Sequence, residues 1–510
     1  MFCRTSSAFL AALVLCPGLA WAQYEAGPVR LPEASVPDAS TADGSAAFPG
    51  SLTERQGEVE TQRPFAAPGE SSDGSSQFVA ADEVPLTPVE QRLMAMEKEL
   101  QDFHIAQDAQ RNRFPGPVTV MGVFQADAVG FNQDTANRAS YGDIQNGAGF
   151  RRARLGARGS VTNNMNYFFQ MDFGFFGRPT FTDVWVEWTD LPYLGTVRAG
   201  QWKQPFSLEV VSSFRYTTFM ERSSMFQAFD PFRHIGIGFY NHSEDLMTTW
   251  AASFFRTGQD QYGNSISDDG GNGLAGRITH LAWWDEASEG RSYLHLGAGY
   301  FLNNPPRDTA RFRSIPEIFV GQHANGAVGT SGQAVPGAFD GTPFFVDTLN
   351  ITDTSMVSTP GIELLYVRGP LSIQTEAMAA VVNQLNNPTA VLGGGYAQIG
   401  WFLTGEHRPY DRVAGAIDRV KPFEDFFWVN TSDGRMYGLG AWEVAARYSY
   451  IDLNDSNIRG GIMQNATAGV NWYCNPYCKV VFNYIHSFVT DRNGSPSEAN
   501  AWGLRTQLDF

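Results

Sequence analysis

Along the last ten residues, AWGLRTQLDF, the chain alternates with a period of two. Trp502, Leu504, Thr506, Leu508 and Phe510 fall on one face, and Gly503, Arg505, Gln507 and Asp509 on the other, because successive strand side chains point to opposite sides of a sheet. One face suits hydrocarbon and the other suits water. The same split recurs in MNYFFQMDFGF, where Met165, Tyr167, Phe169, Met171, Phe173 and Phe175 oppose Asn166, Gln170 and Asp172. From Val118 to Phe510 such segments, each of about ten residues, follow one another between Gly, Asn, Asp and Pro turns, with aromatics concentrated on the apolar face. Aromatic girdling, strands long enough to cross a bilayer on a tilt, and short turns alternating with long loops predict an all-β fold: a transmembrane antiparallel β-barrel of about 16 strands over residues 118–510.

Parity constrains the count. With both ends in the periplasm the strand number is even, Thr162-Asn163-Asn164 and Asn475-Pro476-Tyr477 become short periplasmic turns, and 130–149 and 487–499 become outer loops. One hairpin around 303–358 is left unassigned. Two connections break the simple pattern. Residues 203–233 are too apolar to float in solvent and are expected to fold into the lumen, carrying Arg215, Glu221, Arg222 and Arg233 to a narrowing. Residues 406–437, with Arg408, Arg412, Arg419 and Lys421, are too long for a lower turn and are expected to enter the barrel as well.

Upstream, residues 1–22 read as a secretory signal peptide, with an apolar stretch from Ala8 to Leu15 and an A-x-A site at Ala20 and Ala22. Residues 23–85, rich in Pro, Ala, Ser and Gly, read as a disordered tether. Residues 86–112 read as a short coiled-coil helix. Thr87-Pro88-Val89-Glu90 makes a capping box, and Val89, Leu93, Met96, Leu100 and Phe103 make a heptad seam.

Charge sharpens the picture of the barrel. The chain carries a formal net charge of -17 and only 4 lysines among its 36 basic residues, so it has no extended basic face and no nucleic-acid partner is expected. Yet FRRARLGARGSV puts Arg151, Arg152, Arg154 and Arg158 close together. In strand register Arg152, Arg154 and Arg158 face the lumen as a ladder roughly 20 Å long at about 3.3 Å per residue. Arg151 falls on the lipid face, at the rim, where it can snorkel. Positive charge in a watery pore guides anions. The rival reading, that these arginines pair with lumenal carboxylates such as Asp127, Asp172, Asp183 or Glu187, stays open.

Other chemistry is sparse. Cys3 and Cys16 leave with the signal peptide, while Cys474 and Cys478 flank the Asn-Pro-Tyr turn, where a disulfide suits an oxidising periplasm. A C-x3-C zinc site lacks a second ligand pair. The 8 histidines show no ligand spacing, and no nucleophile elbow or phosphate cradle occurs. No metal, cofactor or catalytic site is therefore expected. A barrel hydrolase with its catalytic groups on distant strands, and a structural barrel tethering the envelope through residues 23–112, stand as rival classes.

The runs GFRRARLGARGSV, YFFQMDFG, DVWVEW, VRAGQWKQPFSLE and FMERS, then YAQIGWFLTGEHRPYDR, RVKPFED, GAWEVAARYSYIDLND and VNWYCNPYCKVVFNYIH, ending in LDF, resemble the phosphate-selective porin O and P family over residues 118–510. The resemblance implies a homotrimer of 16-stranded barrels in the outer membrane, inward-folded segments, and a pore lined by arginine and lysine. It also implies that Phe510 is the signal read by the barrel-assembly machinery. The chain departs from the family in having only Lys203, Lys421 and Lys479 in the barrel, and residues 117–510 carry 28 basic against 37 acidic side chains. The expectation is passive diffusion of small inorganic anions, phosphate or polyphosphate among them, along Arg152, Arg154, Arg158, Arg215, Arg222, Arg233, Arg408, Arg419 and Lys421. General small-solute permeation is the alternative.

Overall fold

The computed structural model describes residues 92, 94–100, 116–174, 179–258, 266–321, 341–427, 429–431 and 434–510. The signal peptide and tether lie outside the described residues. Of the expected coiled-coil stretch, residues 92 and 94–100 are described; they are helical and exposed.

Sixteen strands close into one antiparallel barrel. They are β1 (Thr119–Gln133), β2 (Gly147–Thr162), β3 (Met165–Asp172), β4 (Thr180–Leu191), β5 (Gly195–Lys203), β6 (Arg233–His242), β7 (Thr248–Arg256) and β8 (Asn272–Trp284). The second half comprises β9 (Ser292–Asn304), β10 (Thr354–Arg368), β11 (Leu371–Gln384), β12 (Ala390–Phe402), β13 (Ala441–Asp455), β14 (Ile458–Asn475), β15 (Cys478–Thr490) and β16 (Pro496–Asp509). Each strand pairs with the next, and β16 returns to β1, with Asp127 opposite Arg505. Closure leaves no unpaired edge, the condition for a sheet to sit in hydrocarbon. Short turns such as 163–164, 369–370 and 476–477 gather at one end and longer connections at the other. The stretch left unassigned at 303–358 adds no barrel hairpin among the described residues. β9 passes to β10 through a connection holding a small ladder, Arg313–Ser314 with Val346–Asp347.

The alternation seen in the last strand is carried out literally. Trp502, Leu504 and Leu508 are exposed on the outer wall, whereas Arg505 and Gln507 are buried within. Two glycines of β1 receive aromatic rings across the closing seam. A Cβ on Gly122 would run into the Phe510 ring, and one on Gly130 would stand 2.5 Å from Trp502. The terminal residue is also tied by its backbone, since Phe510 N–H donates to the Gly122 carbonyl at 3.1 Å and Gly122 N–H donates back at 3.0 Å.

Three connections fill the lumen. From the long-loop end, residues 204–232 run inward with the short helices α1 (Leu208–Val211) and α2 (Ser224–Phe229). Phe206, Leu208, Phe214, Phe219, Met220 and Met225 are buried there, which explains why a loop can be so apolar. The β11 carboxylate of Glu376 accepts from the Leu208 and Glu209 amides at 3.1 and 3.0 Å and so fixes this loop to the wall. From the short-turn end, residues 403–420 also turn inward. Arg408 Nη1 donates to the Tyr216 carbonyl at 2.9 Å and Ile417 N–H to Ser212 Oγ at 3.1 Å, so the two segments meet inside the barrel. The third is the β9–β10 connection, whose Glu317 accepts from Ser224 N–H at 2.7 Å.

Candidate ion pathway

The ladder strand β2 carries a feature that alternation does not reveal. Gln125 of β1 lies opposite Arg152 and Ala126 opposite Phe150, so Arg151 is an extra residue in a β-bulge. A bulge turns two consecutive side chains toward the same side. Arg151 therefore points inward rather than to the lipid rim, and its Nε and Nη2 reach the Glu221 carboxylate at 2.8 and 3.0 Å.

Below that bulge a column of basic groups descends one side of the lumen. At the top, Glu221 of the inward loop is shared by Arg151, by Arg152 at 3.6 Å and by Arg505 at 2.7 Å, while Arg505 also grips Asp127 at 2.6 Å. Burial pushes the Glu221 carboxyl up, but the guanidinium groups of Arg151, Arg152 and Arg505 outweigh it and hold the group well below the usual carboxylate range. One turn lower, Arg154 pairs with Asp172 at 2.8 Å. The guanidinium groups of Arg152 and Arg154 lie 4.4 and 4.5 Å from the centre of the Phe214 ring, which keeps them extended. Lower still come Arg158, Arg215, Arg419 and Lys479. Arg215 is 3.7 Å from Asp509, and Arg419 also pairs with Asp509. Lys479 donates to the Thr217 carbonyl at 3.0 Å. Arg158 is only part-buried and makes no hydrogen bond or ion pair among the described residues; Arg215 is its nearest charged neighbour in effect, and it repels.

The other expected residues serve different ends. Arg233 is bound to Asp183 at 2.6 Å, in a wall pair outside the column. Arg222 spends its donors on the carbonyls of Glu209 (2.5 Å) and Ser212 (2.9 Å), bracing the inward loop. Burial pulls its pKa down to about 10 against the opposing pull of Glu209. Arg408 is fully buried and paired with Glu443, so it locks the lower segment to β13 and presents no free edge. Lys421 is exposed, directly after the buried Val420. Cys474 and Cys478 are free thiols, each in hydrogen-bonding contact with the other, rather than the expected disulfide.

The family model described as "Phosphate-selective porin O and P" matches residues 118–510, the whole barrel. The chain belongs to the phosphate-selective porin O and P family. It is accordingly an outer-membrane porin, a channel and not an enzyme. Porin O of Pseudomonas aeruginosa is 25% identical over 393 residues, 72% of this chain and 83% of that protein. An uncharacterized protein of Caulobacter vibrioides is 27% identical over 385 residues, 71% of this chain and 68% of its own length. Among solved structures, OmpT of Vibrio cholerae in a trimer form is 13% identical with a TM-score of 0.44, covering 77% of this chain and 99% of that one. An anion-selective porin from Comamonas acidovorans is 12% identical with a TM-score of 0.43 over 77% and 99% of the two chains.

Among the described residues, Arg198, Arg277, Arg447, Lys479 and Arg505 are lumenal basic residues that the expected pathway did not include. Arg198 holds Glu187 at 2.7 Å, Arg277 holds Glu363 at 2.6 Å and Arg447 holds Glu317 at 2.5 Å. The signal was present for Arg505, which period-two alternation already places on the polar face of the last strand.

Proposed function

We propose that this porin passes small inorganic anions passively, down their gradient, along the column on β15, β16, β1, β2 and β3. One observation carries the reading. Eight basic side chains (Arg151, Arg152, Arg154, Arg158, Arg215, Arg419, Lys479 and Arg505) meet four carboxylates there (Asp127, Asp172, Glu221 and Asp509). A surplus of positive charge against a low-dielectric wall raises the local concentration of anions and excludes cations. The paired arginines remain competent, because each guanidinium has five donors in a fork and a single carboxylate cannot occupy them all. Phosphate is one anion that such forks suit, and the family description names it; the mechanism asks only for a small anion with accessible oxygens or a halide.

Mechanistically, an anion exchanges part of its hydration shell for guanidinium N–H donors and moves between neighbouring groups with no covalent step. Arg158, uncommitted to any carboxylate among the described residues, is the strongest resting point. We further propose that the working unit is a homotrimer, as the family likeness implies. Met96 and Leu100 of the N-terminal helix, exposed at 63% and 62%, need a partner surface that subunit association would supply. Reconstituting the full chain in a planar bilayer under a KCl gradient tests the reading. A reversal potential with the sign set by chloride supports it, and one set by potassium overturns it. Sedimentation of the detergent-solubilised protein at three chain masses supports the trimer, and sedimentation at one chain mass overturns it.

A further inference from the structure

The thiols of Cys474 and Cys478 sit on the hairpin that holds the lower inward segment, and that juxtaposition goes beyond the passage of anions. In the β14–β15 ladder Tyr473 faces Lys479 and Asn475 faces Cys478, with a register shift between Tyr473 and Asn475, so Cys474 is a bulged residue with no partner across the ladder. Pro476 and Tyr477 make the turn. Both thiols are half-buried and touch one another. They lie at the short-turn end, which such barrels direct to the periplasm, an oxidising compartment.

The backbone of this hairpin grips residues 403–427 at two carbonyls. Phe426 N–H donates to Cys474 O at 2.6 Å, and the Arg419 guanidinium donates to Pro476 O. Arg419 also lies 4.7 Å from the centre of the Tyr477 ring and pairs with Asp509. From there the segment runs up to Ile417 and Arg408, which bond to Ser212 and Tyr216 of the upper inward loop. The space around Arg215, Arg419, Lys479 and Asp509 is nearly shut, about 10 Å³ in volume. That is close to the room one water needs. The segment, through Arg419 and Val420, therefore narrows the space at the foot of the anion column while the hairpin holds it.

We propose that Cys474 and Cys478 form a redox modification site whose oxidation releases the lower inward segment and opens the foot of the column. The reactant is a periplasmic disulfide, carried by a thiol–disulfide oxidoreductase or by a small molecule. One thiolate attacks a sulfur of that disulfide, giving a mixed disulfide and releasing the first thiolate. The second cysteine sulfur then displaces the remaining sulfur and completes the intramolecular S–S bond. Two cysteine thiols are oxidised to one disulfide, the donor disulfide is reduced to two thiols, and the two protons lost by the cysteines balance those the donor takes up. The bond fixes the two sulfurs about 2.05 Å apart. The bulge at Cys474 is the place free to absorb that constraint, and it carries the carbonyl that Phe426 uses. The oxidised hairpin thus turns away the acceptor on which the segment depends.

The inference rests on the porin reading, so its test has two readouts, one of which does not need conduction. The full-length protein is treated with oxidised glutathione or with dithiothreitol. Oxidation should lower the mass by two hydrogens, raise hydrogen exchange at the amides of 419–427 at least tenfold, and raise the single-channel conductance reversibly. The Cys474→Ser/Cys478→Ser variant should stay at the reduced level in both conditions. If the disulfide forms and exchange over 419–427 is unchanged or slower, the proposed coupling is wrong. If no mass change occurs, there is no modification site. If exchange responds as stated while no form of the protein conducts, the latch stands and the porin reading fails.

Discussion

The two walls of this lumen hold their arginines differently. On the side formed by β4 to β10, three lumenal guanidinium groups each meet a carboxylate, Arg198 with Glu187, Arg233 with Asp183, and Arg277 with Glu363, all within 2.7 Å, while the buried Lys203 donates to the Val211 and Ser212 carbonyls. On the side formed by β15, β16 and β1 to β3, carboxylates are shared; Glu221 serves three arginines, Asp509 serves two, and Arg158 has none among the described residues. The first arrangement cancels field and fastens structure, as buried pairs do when every partner is satisfied. The second leaves net charge facing the lumen. The lesson is that counting arginines on a pore wall says little; the ratio of guanidinium to carboxylate within bonding reach sets how much charge the wall leaves uncancelled.

The comparison can be broken most severely at Arg505, which fastens Asp127 and Glu221 together at the top of the column. Arg505→Leu leaves Asp127 buried and unpaired, and should lower stability by about 3–5 kcal/mol, read as the urea midpoint in detergent. Arg505→Leu with Asp127→Leu should recover part of that loss, since both charges then go together. Next is the seam on which the column stands. Gly122→Val forces the exposed Phe510 ring to swing aside and should reduce stability by about 1 kcal/mol, the low end of overpacking costs. The yield of refolded barrel should fall with it.

A smaller change sharpens the contrast between the walls. Arg158→Gln removes a charge that is unpaired among the described residues and should reduce the anion-to-cation permeability ratio roughly fivefold, about 1 kcal/mol for one unit charge near the ion path in water, without moving the urea midpoint. Arg198→Gln should do the reverse: it breaks the pair with Glu187, lowers stability, and leaves an uncancelled carboxylate. The smallest effect concerns the lower segment on the balanced side. Asp411 caps its turn by accepting from the Val413 and Ala414 amides at 2.9 and 3.0 Å. Burial raises its pKa from 3.8 to about 6. A raised carboxyl binds its proton more tightly in the folded form, so the hold on the segment is greatest below about pH 4, weakens as pH rises to about 6, and is flat above that. Protease cleavage within 403–427 should increase over that range in the wild type and lose its pH dependence in Asp411→Asn.

Much of the barrel was legible in the sequence because bilayer and water impose a period of two on every strand, as the face shared by Trp502, Leu504 and Leu508 shows. The inward course of 203–233 was legible for a related reason, since Phe206, Phe214 and Met220 had nowhere else to go. The bulge at Arg151 was not legible: one extra residue leaves composition untouched and shifts only which face it serves. Nor were the ion pairs, because the partner of Arg151 lies 70 residues away on an inward loop, and Glu317, which holds Arg447, belongs to a connection with no periodic signature. Of the lower segment the sequence showed that it was too long for a turn, and hence that Arg408 entered the barrel. It did not show that burial ends at Val420 and that Lys421 is exposed.

The central claim is that charge surplus on one wall sets ion preference. The most direct test is the reversal potential in a planar bilayer under a KCl gradient, measured for the wild type, for Arg158→Gln, and for Arg233→Gln with Asp183→Asn, which removes a balanced pair. The predicted result is a chloride-set potential that shrinks toward zero in Arg158→Gln and is unchanged in the paired variant. An equal shift in both variants, or a potassium-set potential in the wild type, would contradict it.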